Sequence, residues 1–206
     1  MDTTNAASSP HVAVVVGSTR PGRISLDVAR WVRDVLAADS ELTYEIVDLA
    51  EIDLPMLDEP LPAAFGRYEH AHTRNWSALV SGFDAFLFVY PQYNWGYPGV
   101  LKNALDFLYA EWHGKPASLF TWSITGGARG AAQLYQVLQG LHMQPIRAHV
   151  EAPFAEVDVD EHQQLINAER TFGHTRTDLA TINDAFTSLT ARLHRSDRAN
   201  QKSLLL

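Results

Sequence analysis

The chain contains no cysteine among its 206 residues, which excludes disulfide bonds, thiolate metal sites and a cysteine nucleophile. It also lacks the run of about 20 apolar residues that a membrane helix requires. Its first ten residues, MDTTNAASSP, have neither the basic end nor the apolar centre of a secretory signal. Lys and Arg (16) are outnumbered by Asp and Glu (24), and the net charge of −8 argues against binding to nucleic acid or to anionic membranes. We therefore expect a soluble, cytoplasmic protein.

Strand-like and helix-like segments alternate along the chain. Apolar runs predict strands at 11–16, 42–49, 84–90, 117–122 and 145–150. Helical spacing predicts helices at 24–38, 75–82, 98–109, 127–141 and about 160–193, the last with a break at Gly173. Residues 50–74, rich in proline and acidic residues, are predicted to be a long loop.

This alternation predicts an α/β fold, with helices on both faces of a five-stranded parallel sheet. We expect one domain over residues 11–195, with a disordered segment at 1–10 before it and a loose tail at 196–206 after it.

The loops after the first and third predicted strands are the most informative segments. They read GSTRPGRIS (17–25) and PQYNWGYPG (91–99). In a flavodoxin-like sheet of order 2-1-3-4-5, the first and third strands flank the topological switch point, where open α/β sheets bind ligands. Fold and loops therefore indicate the same place, and together they predict a mononucleotide between the two loops.

The first loop has the composition of a phosphate site. Ser18, Thr19 and Ser25 supply hydroxyl donors, and Arg20 and Arg23 supply planar guanidinium groups next to a helix N-terminus. The loop has neither the Gly-Lys-Ser/Thr ending of a P-loop nor the three-glycine dinucleotide fingerprint, so a terminal monophosphate fits best. The alternative is an ordinary capped helix with two solvated arginines.

The second loop combines amides with flat apolar faces. Gln92 and Asn94 can hydrogen-bond the pyrimidine edge of an isoalloxazine, and Tyr93 and Trp95 can pack against its rings. A glycine-rich third loop, SITGGARG at 123–130, follows the fourth strand and lets the backbone approach a flat ring. The alternatives are an aromatic loop that only covers the core and an ordinary glycine-rich turn.

Together the three loops resemble the NAD(P)H-dependent FMN reductase family of flavodoxin-like flavoproteins, over about Val12 to Pro153. The most specific piece, PQYNWGYPGVLKNALDFL, is similar to the family pattern Pro-Glu-Tyr-Asn-x-Ser-x-Pro-Gly-x-Leu-Lys-Asn-Ala-Ile-Asp, with Gln92 in place of the commoner Glu and Gly96 in place of Ser. The resemblance implies that the FMN phosphate is surrounded by Ser18, Thr19, Arg20, Arg23 and Ser25. It implies that the isoalloxazine contacts Pro91, Gln92, Tyr93, Asn94, Trp95, Ser123, Gly126 and Gly127.

By the same resemblance, the activity is an FMN-dependent oxidoreduction. Hydride comes from NADPH or NADH, and a free flavin, a quinone or an azo or nitro compound accepts the electrons. We assign no catalytic residue, because the cofactor carries the reaction. We also assign no metal site, because His70 and His72 beside Glu69 have no further ligands to complete a shell.

The resemblance further implies a homodimer or tetramer. The helix after the second loop would help build its interface, and the loop 58–73, with Phe65 and Tyr68, would cover the partner's flavin. A partner monooxygenase that receives reduced FMN is a further possibility. Two other functions stay open, namely a flavodoxin-like electron carrier and a non-enzymatic flavin-binding sensor. Carriers usually hold phosphate with a Ser/Thr-rich loop and no arginine, so Arg20 and Arg23 argue against the first.

Overall fold

The computed structural model describes residues 9–154, 159–162 and 164–203, so most of the segment predicted to be disordered, 1–10, lies outside the described residues. Its parallel strands form one sheet of order β2-β1-β3-β4-β5, in which β6 also pairs with β4. The predicted fold class and strand order are confirmed. The strands are β1 (His11–Val16), β2 (Thr43–Asp48), β3 (Ala85–Pro91), β4 (Pro116–Ser123), β5 (Gln144–Pro145) and β6 (Val150–Pro153).

Helices connect the successive strands from β1 to β5, as parallel pairing requires, whereas β5 and β6 are joined without a helix. They are α1 (Ser25–Ala37), α2 (Leu49–Ile52), α3 (Ala71–Ser81), α4 (Gly99–Asp106), α5 (Ala128–Gly140), α6 (Ala168–Phe172) and α7 (Arg176–Ser203). Short 3-10 helices lie at Ala63–Phe65, Ala110–Trp112 and Gly173–Thr175. Within the described ranges, none of the helices is long and apolar enough to cross a membrane.

Each strand of the sheet's centre buries both of its faces. In β1, Val12 and Val14 face a core shared with α1, α6 and α7, whereas Ala13 and Val15 face a core shared with α3, α4 and α5. Successive side chains of a strand point to opposite faces, so an unbroken apolar run needs a helical layer on each side. This packing fixes the sheet between two layers and leaves the carboxyl ends of its strands open to ligand.

Beyond β4 the sheet has two short strands, β5 and β6, in place of the single strand predicted at 145–150. The two-residue β5 ends at Pro145, which has no N–H to donate to a ladder, and β6 begins only at Val150. Between them the Ile146 amide still donates to the Ala117 carbonyl at 2.9 Å, and the Ser118 hydroxyl donates to the Ala148 carbonyl at 2.7 Å.

Two other segments also differ in their bounds. The predicted long loop at 50–74 contains α2 and a 3-10 helix, and α3 begins at Ala71 rather than at 75. The last predicted helix is divided at Gly173 as expected, but it begins at Ala168, and α7 continues to Ser203 through most of the segment predicted to be a loose tail.

Candidate functional site

A cavity of about 520 Å³ lies at the carboxyl ends of β1, β3 and β4. Clefts of about 300–1,000 Å³ are usual for small-molecule and cofactor sites. Its walls come from the three loops that the sequence singled out and from the segment after β6. The lining residues are Arg20, Gly22, Arg23, Ile24, Ser25, Pro91, Gln92, Tyr93, Asn94, Trp95, Trp122, Ser123, Ile124, Thr125, Phe154 and Val159.

The N-terminus of α1 opens into this cavity. Ile24 occupies the N-cap position and makes no side-chain hydrogen bond to the first turn, where Ser25 is 1 % exposed. Uncapped amides at a helix N-terminus, together with the helix dipole, form a site for an anion. Arg20 lines the same end of the cavity, and its exposed guanidinium makes no hydrogen bond or ion pair with the described residues. This end of the cavity is suited to a phosphate.

Arg23 is held by a partner from another strand. Its two terminal nitrogens donate to Asp48 Oδ1 and Oδ2 at 2.7 and 2.6 Å, and Asp48 lies at the end of β2. One of these nitrogens also donates to the Ser18 carbonyl. Asp48 in turn caps α2 by accepting from the Ala50 amide at 3.0 Å. Arg23 thus reaches the cavity wall, but most of its donors fix the β1–α1 loop to β2.

A tight hairpin forms the second wall. The Tyr93 and Gly96 backbones exchange two hydrogen bonds of 2.8 Å, and the residues between them, Asn94 and Trp95, have φ angles of 47° and 70°. Positive φ at both central residues is the signature of a type I′ turn, which tolerates Asn well and a bulky aromatic poorly. Backbone strain of this kind is found at binding and catalytic sites. It presents the Trp95 ring, which is 62 % exposed, beside the cavity.

The hairpin is connected to both neighbouring loops. The Tyr93 hydroxyl lies 2.9 Å from the Ser18 hydroxyl of the first loop. The Gln92 side chain accepts from the Gly130 amide in the first turn of α5 at 2.9 Å, and its backbone amide donates to the Trp122 carbonyl at 2.8 Å. Ser18 and Gln92 therefore position the walls of the cavity relative to one another.

Two glycines determine the backbone conformation of the third loop. Gly126 has a φ of 85°, and a Cβ added at Gly127 would lie 2.2 Å from Thr121 Cγ2. Only glycine adopts the positive φ of Gly126 without cost, and only glycine lets the backbone at Gly127 come this close to Thr121. Both residues are buried behind the wall, while Ile124 and Thr125 stand exposed at the mouth.

Tyr90 in β3 and Tyr97 just before α4 have pKa values above the ordinary value of a tyrosine. Burial raises the pKa of Tyr90 well above its ordinary value and raises the pKa of Tyr97 to about 12. The described lining residues include no Asp, Glu or His, and their charged groups are Arg20 and Arg23, the second of which is paired with Asp48. The arrangement offers contacts and positive charge to a ligand.

Nine of the predicted site residues line the cavity together. They are Arg20, Arg23, Ser25, Pro91, Gln92, Tyr93, Asn94, Trp95 and Ser123, whereas Ser18, Thr19, Gly126 and Gly127 do not line it. The sequence interpretation missed Gly22, Ile24, Trp122, Ile124, Thr125, Phe154 and Val159. Trp122 could have been found as the last aromatic residue of its strand. Phe154 could not, because it follows β6, whose position was not predicted.

Comparison with known proteins adds a family to this geometry. Residues 10–157 match the family model described as NADPH-dependent FMN reductase. The chain is 41 % identical over 146 residues to the NAD(P)H-dependent FMN reductase LOT6 of Saccharomyces cerevisiae, covering 66 % of this chain and 76 % of that protein. It is 36 % identical over 127 residues to a quinone reductase of Pseudomonas putida, covering 58 % and 62 %.

A solved structure shares the fold over most of both chains. It is FerB, a flavoenzyme NAD(P)H:(acceptor) oxidoreductase from Paracoccus denitrificans, with a TM-score of 0.64, 25 % identity, and coverage of 89 % of this chain and 98 % of that one.

Proposed function

Because the chain belongs to the NADPH-dependent FMN reductase family, we propose that the cavity at the ends of β1, β3 and β4 is its FMN site. The protein is an oxidoreductase that uses FMN and NAD(P)H. Bound FMN would supply the redox chemistry, which moves a hydride from the reduced nicotinamide and its electrons to an acceptor. The residues of this chain bind the cofactor, orient it and leave one side of the cavity accessible to the substrates.

The observation that carries the proposal is the uncapped N-terminus of α1 beside the guanidinium of Arg20, which has no partner among the described residues. These groups suit a terminal phosphate monoester, because amides and a guanidinium donate several hydrogen bonds to its oxygens. We propose that Arg20 and Ser25, which line the cavity, hold the phosphate, with Thr19 next to Arg20 in the same loop. Ser18 and Arg23 would support them through Tyr93 and Asp48.

The other walls suit the ring. Pro91, Gln92, Tyr93, Asn94 and Trp95 provide amides and aromatic faces on one side. On the other side Ser123 lines the cavity, while Gly126 and Gly127 set the path of the loop behind it. Isoalloxazine has a polar pyrimidine edge and an apolar benzenoid edge, so both types of wall are required.

We expect the purified protein to be yellow and to release FMN, not FAD, on denaturation. The phosphate end of the cavity is built for a monoester, and the sequence has no dinucleotide fingerprint. The released flavin is identified by chromatography against both standards. A colourless protein that fails to bind added FMN at micromolar concentration would contradict the assignment of an FMN site. FAD in the released fraction would contradict the inference that the cavity holds a terminal monophosphate.

A steady-state assay then tests the reaction. NADPH oxidation is followed with menadione and, separately, with free FMN as the electron acceptor. We propose small quinones and flavins as the acceptor class, because the P. putida relative is named a quinone reductase and the S. cerevisiae relative an FMN reductase. A holoprotein that oxidises neither NADPH nor NADH would instead be a carrier or a sensor. The cytoplasmic location and a partner monooxygenase stay predictions.

We also infer that a second copy of this chain covers the segment between α2 and α3. This segment exposes large apolar side chains, among which Met56 is 80 % and Phe65 66 % exposed. Asn103 of α4 fixes it in place, donating to the Pro55 carbonyl at 2.7 Å and accepting from the Leu57 amide at 2.9 Å. An apolar surface held against a helix in this way is typical of an interface.

The expected oligomer is a dimer, or a tetramer built from dimers. The double variant Met56→Asp, Phe65→Asp is expected to sediment as a monomer, because it places charges in the apolar contact. Ile166→Asp is the matched control, since Ile166 is 61 % exposed but lies outside this segment, and it should leave the oligomer intact. A wild-type protein that sediments as a monomer would refute the inference.

A further inference from the structure

A second cation lies beside the cavity, next to the hairpin between β3 and α4. Arg129, in the first turn of α5, places its guanidinium carbon 3.6 Å from the centroid of the Trp95 ring. The side chain is exposed, and in the described part of the chain it has no hydrogen-bond or ion-pair partner. Trp95 itself lines the cavity, so the guanidinium is held at the edge of that wall.

The platform beneath the guanidinium is fixed from several directions. The type I′ turn sets the Trp95 backbone, and the Gln133 side chain donates to the Trp95 carbonyl at 3.2 Å. The first turn of α5 is joined to the hairpin by the bond from the Gly130 amide to Gln92 at 2.9 Å. Stacking on an indole orders a guanidinium while leaving its N–H edge free to bind an anion.

The guanidinium of Arg129 is positive, whereas the chain as a whole has a net charge of −8. At the cavity, Arg23 is neutralised by Asp48, and Arg20 stands with the α1 N-terminus at the phosphate loop. Arg129 lies on another element, next to the ring-facing hairpin. One FMN phosphate does not account for both positions, so the Arg129 cation is available to a second anion.

We propose that Arg129, stacked on Trp95, binds a phosphate group of the nicotinamide dinucleotide that enters the cavity. This inference rests on the proposed function. The dinucleotide carries a diphosphate bridge, and NADPH carries a 2′-phosphate monoester in addition. Both offer the oxygens that a guanidinium edge binds in pairs. Arg129 is thus a specificity-determining residue for the reductant and takes no part in hydride transfer.

The test compares Arg129→Ala with wild type in steady-state assays with NADPH and with NADH. The KM is expected to rise about tenfold, the effect of losing one charge-assisted contact, with kcat and bound FMN within about twofold of wild type. Equal increases for NADPH and NADH assign the diphosphate as the ligand. An increase for NADPH alone assigns the 2′-phosphate. Arg129→Lys keeps the charge but loses the flat fork, so its KM should be intermediate.

Arg147→Ala is the matched control, because Arg147 is exposed and does not line the cavity. It removes the same charge and should leave each KM unchanged. Calorimetric binding of NADP⁺ and NAD⁺ to the holoprotein gives a second measurement that needs no turnover. Equal dissociation constants for wild type and Arg129→Ala would overturn the proposal, as would an equal effect of Arg147→Ala. Absence of NAD(P)H oxidation in the wild type, with normal nucleotide binding, would overturn the proposed function instead.

Discussion

Arg20→Ala is expected to weaken FMN binding by about ten- to a hundredfold, the cost of one charge-assisted phosphate contact of about 1.5–3 kcal/mol. The guanidinium of Arg20 is the one at the phosphate loop that no described residue engages, so its removal leaves the fold of the loop unchanged. Turnover at saturating FMN should change much less, because the phosphate lies away from the reacting ring. Flavin fluorescence titration gives the affinity, and NADPH oxidation gives the turnover.

Asn94→Gly provides the contrasting variant. Glycine adopts the φ of 47° found at Asn94 without strain, so the substitution removes the amide while keeping the turn. We expect the rate of flavin reduction to change more than FMN affinity does.

If Arg20→Ala binds FMN as tightly as wild type, the β1–α1 loop is an ordinary helix start with a solvated arginine.

Asp48→Ala is expected to lower the free energy of unfolding by about 3 kcal/mol, because removing one partner of a buried ion pair leaves the other without compensation. The side chains of Arg23 and Asp48 are only 16 % and 3 % exposed. The variant also loses the cap of α2. Urea denaturation measures the change, and FMN affinity should fall as well, because Arg23 then no longer anchors the loop to β2.

The exposed pair of Arg33 and Asp34 is the control for this prediction. Their nitrogen and oxygen are 2.8 Å apart, but the side chains are 37 % and 67 % exposed. Asp34→Ala should therefore cost about 1 kcal/mol or less. The cycle of Arg23→Ala, Asp48→Ala and the double variant isolates the pair itself. A loss below 1 kcal/mol for Asp48→Ala would show that the pair is not needed for folding.

The sequence predicts the strands and the loops of the cavity because both depend on local patterns, and the sheet order follows from the flavodoxin-like fold that those loops indicate. A segment of about fifteen residues or fewer is enough to recognise each of three features, namely the apolar run of β1, the β3 strand and the loop PQYNWGYPG. The partner of Arg23 could not be predicted in this way. Asp48 is 25 residues further along the chain, and it meets Arg23 only because β2 pairs with β1 in a register that brings Val16 opposite Asp48.

The same limit applies to Gln92 and to the residues after β6. Gln92 reads as a flavin ligand from its loop, but its side-chain oxygen accepts from the α5 amide of Gly130, 38 residues away. Phe154 and Val159 follow the divided edge of the sheet, whose two short strands give too little periodicity to be placed from the sequence. Long-range pairing, and not the composition of the loops, decides these contacts.

The divided edge has a consequence for how copies of this chain can associate. A long, regular edge strand invites another strand to add to the sheet, and continuous addition of this kind leads to aggregation. Beyond β4, the described edge consists of two residues in β5 and four in β6, and each of these strands ends in a proline, Pro145 and Pro153, that has no N–H to offer. This side of the sheet therefore protects against strand addition, so an interface between copies on this side has to be formed by helices and loops.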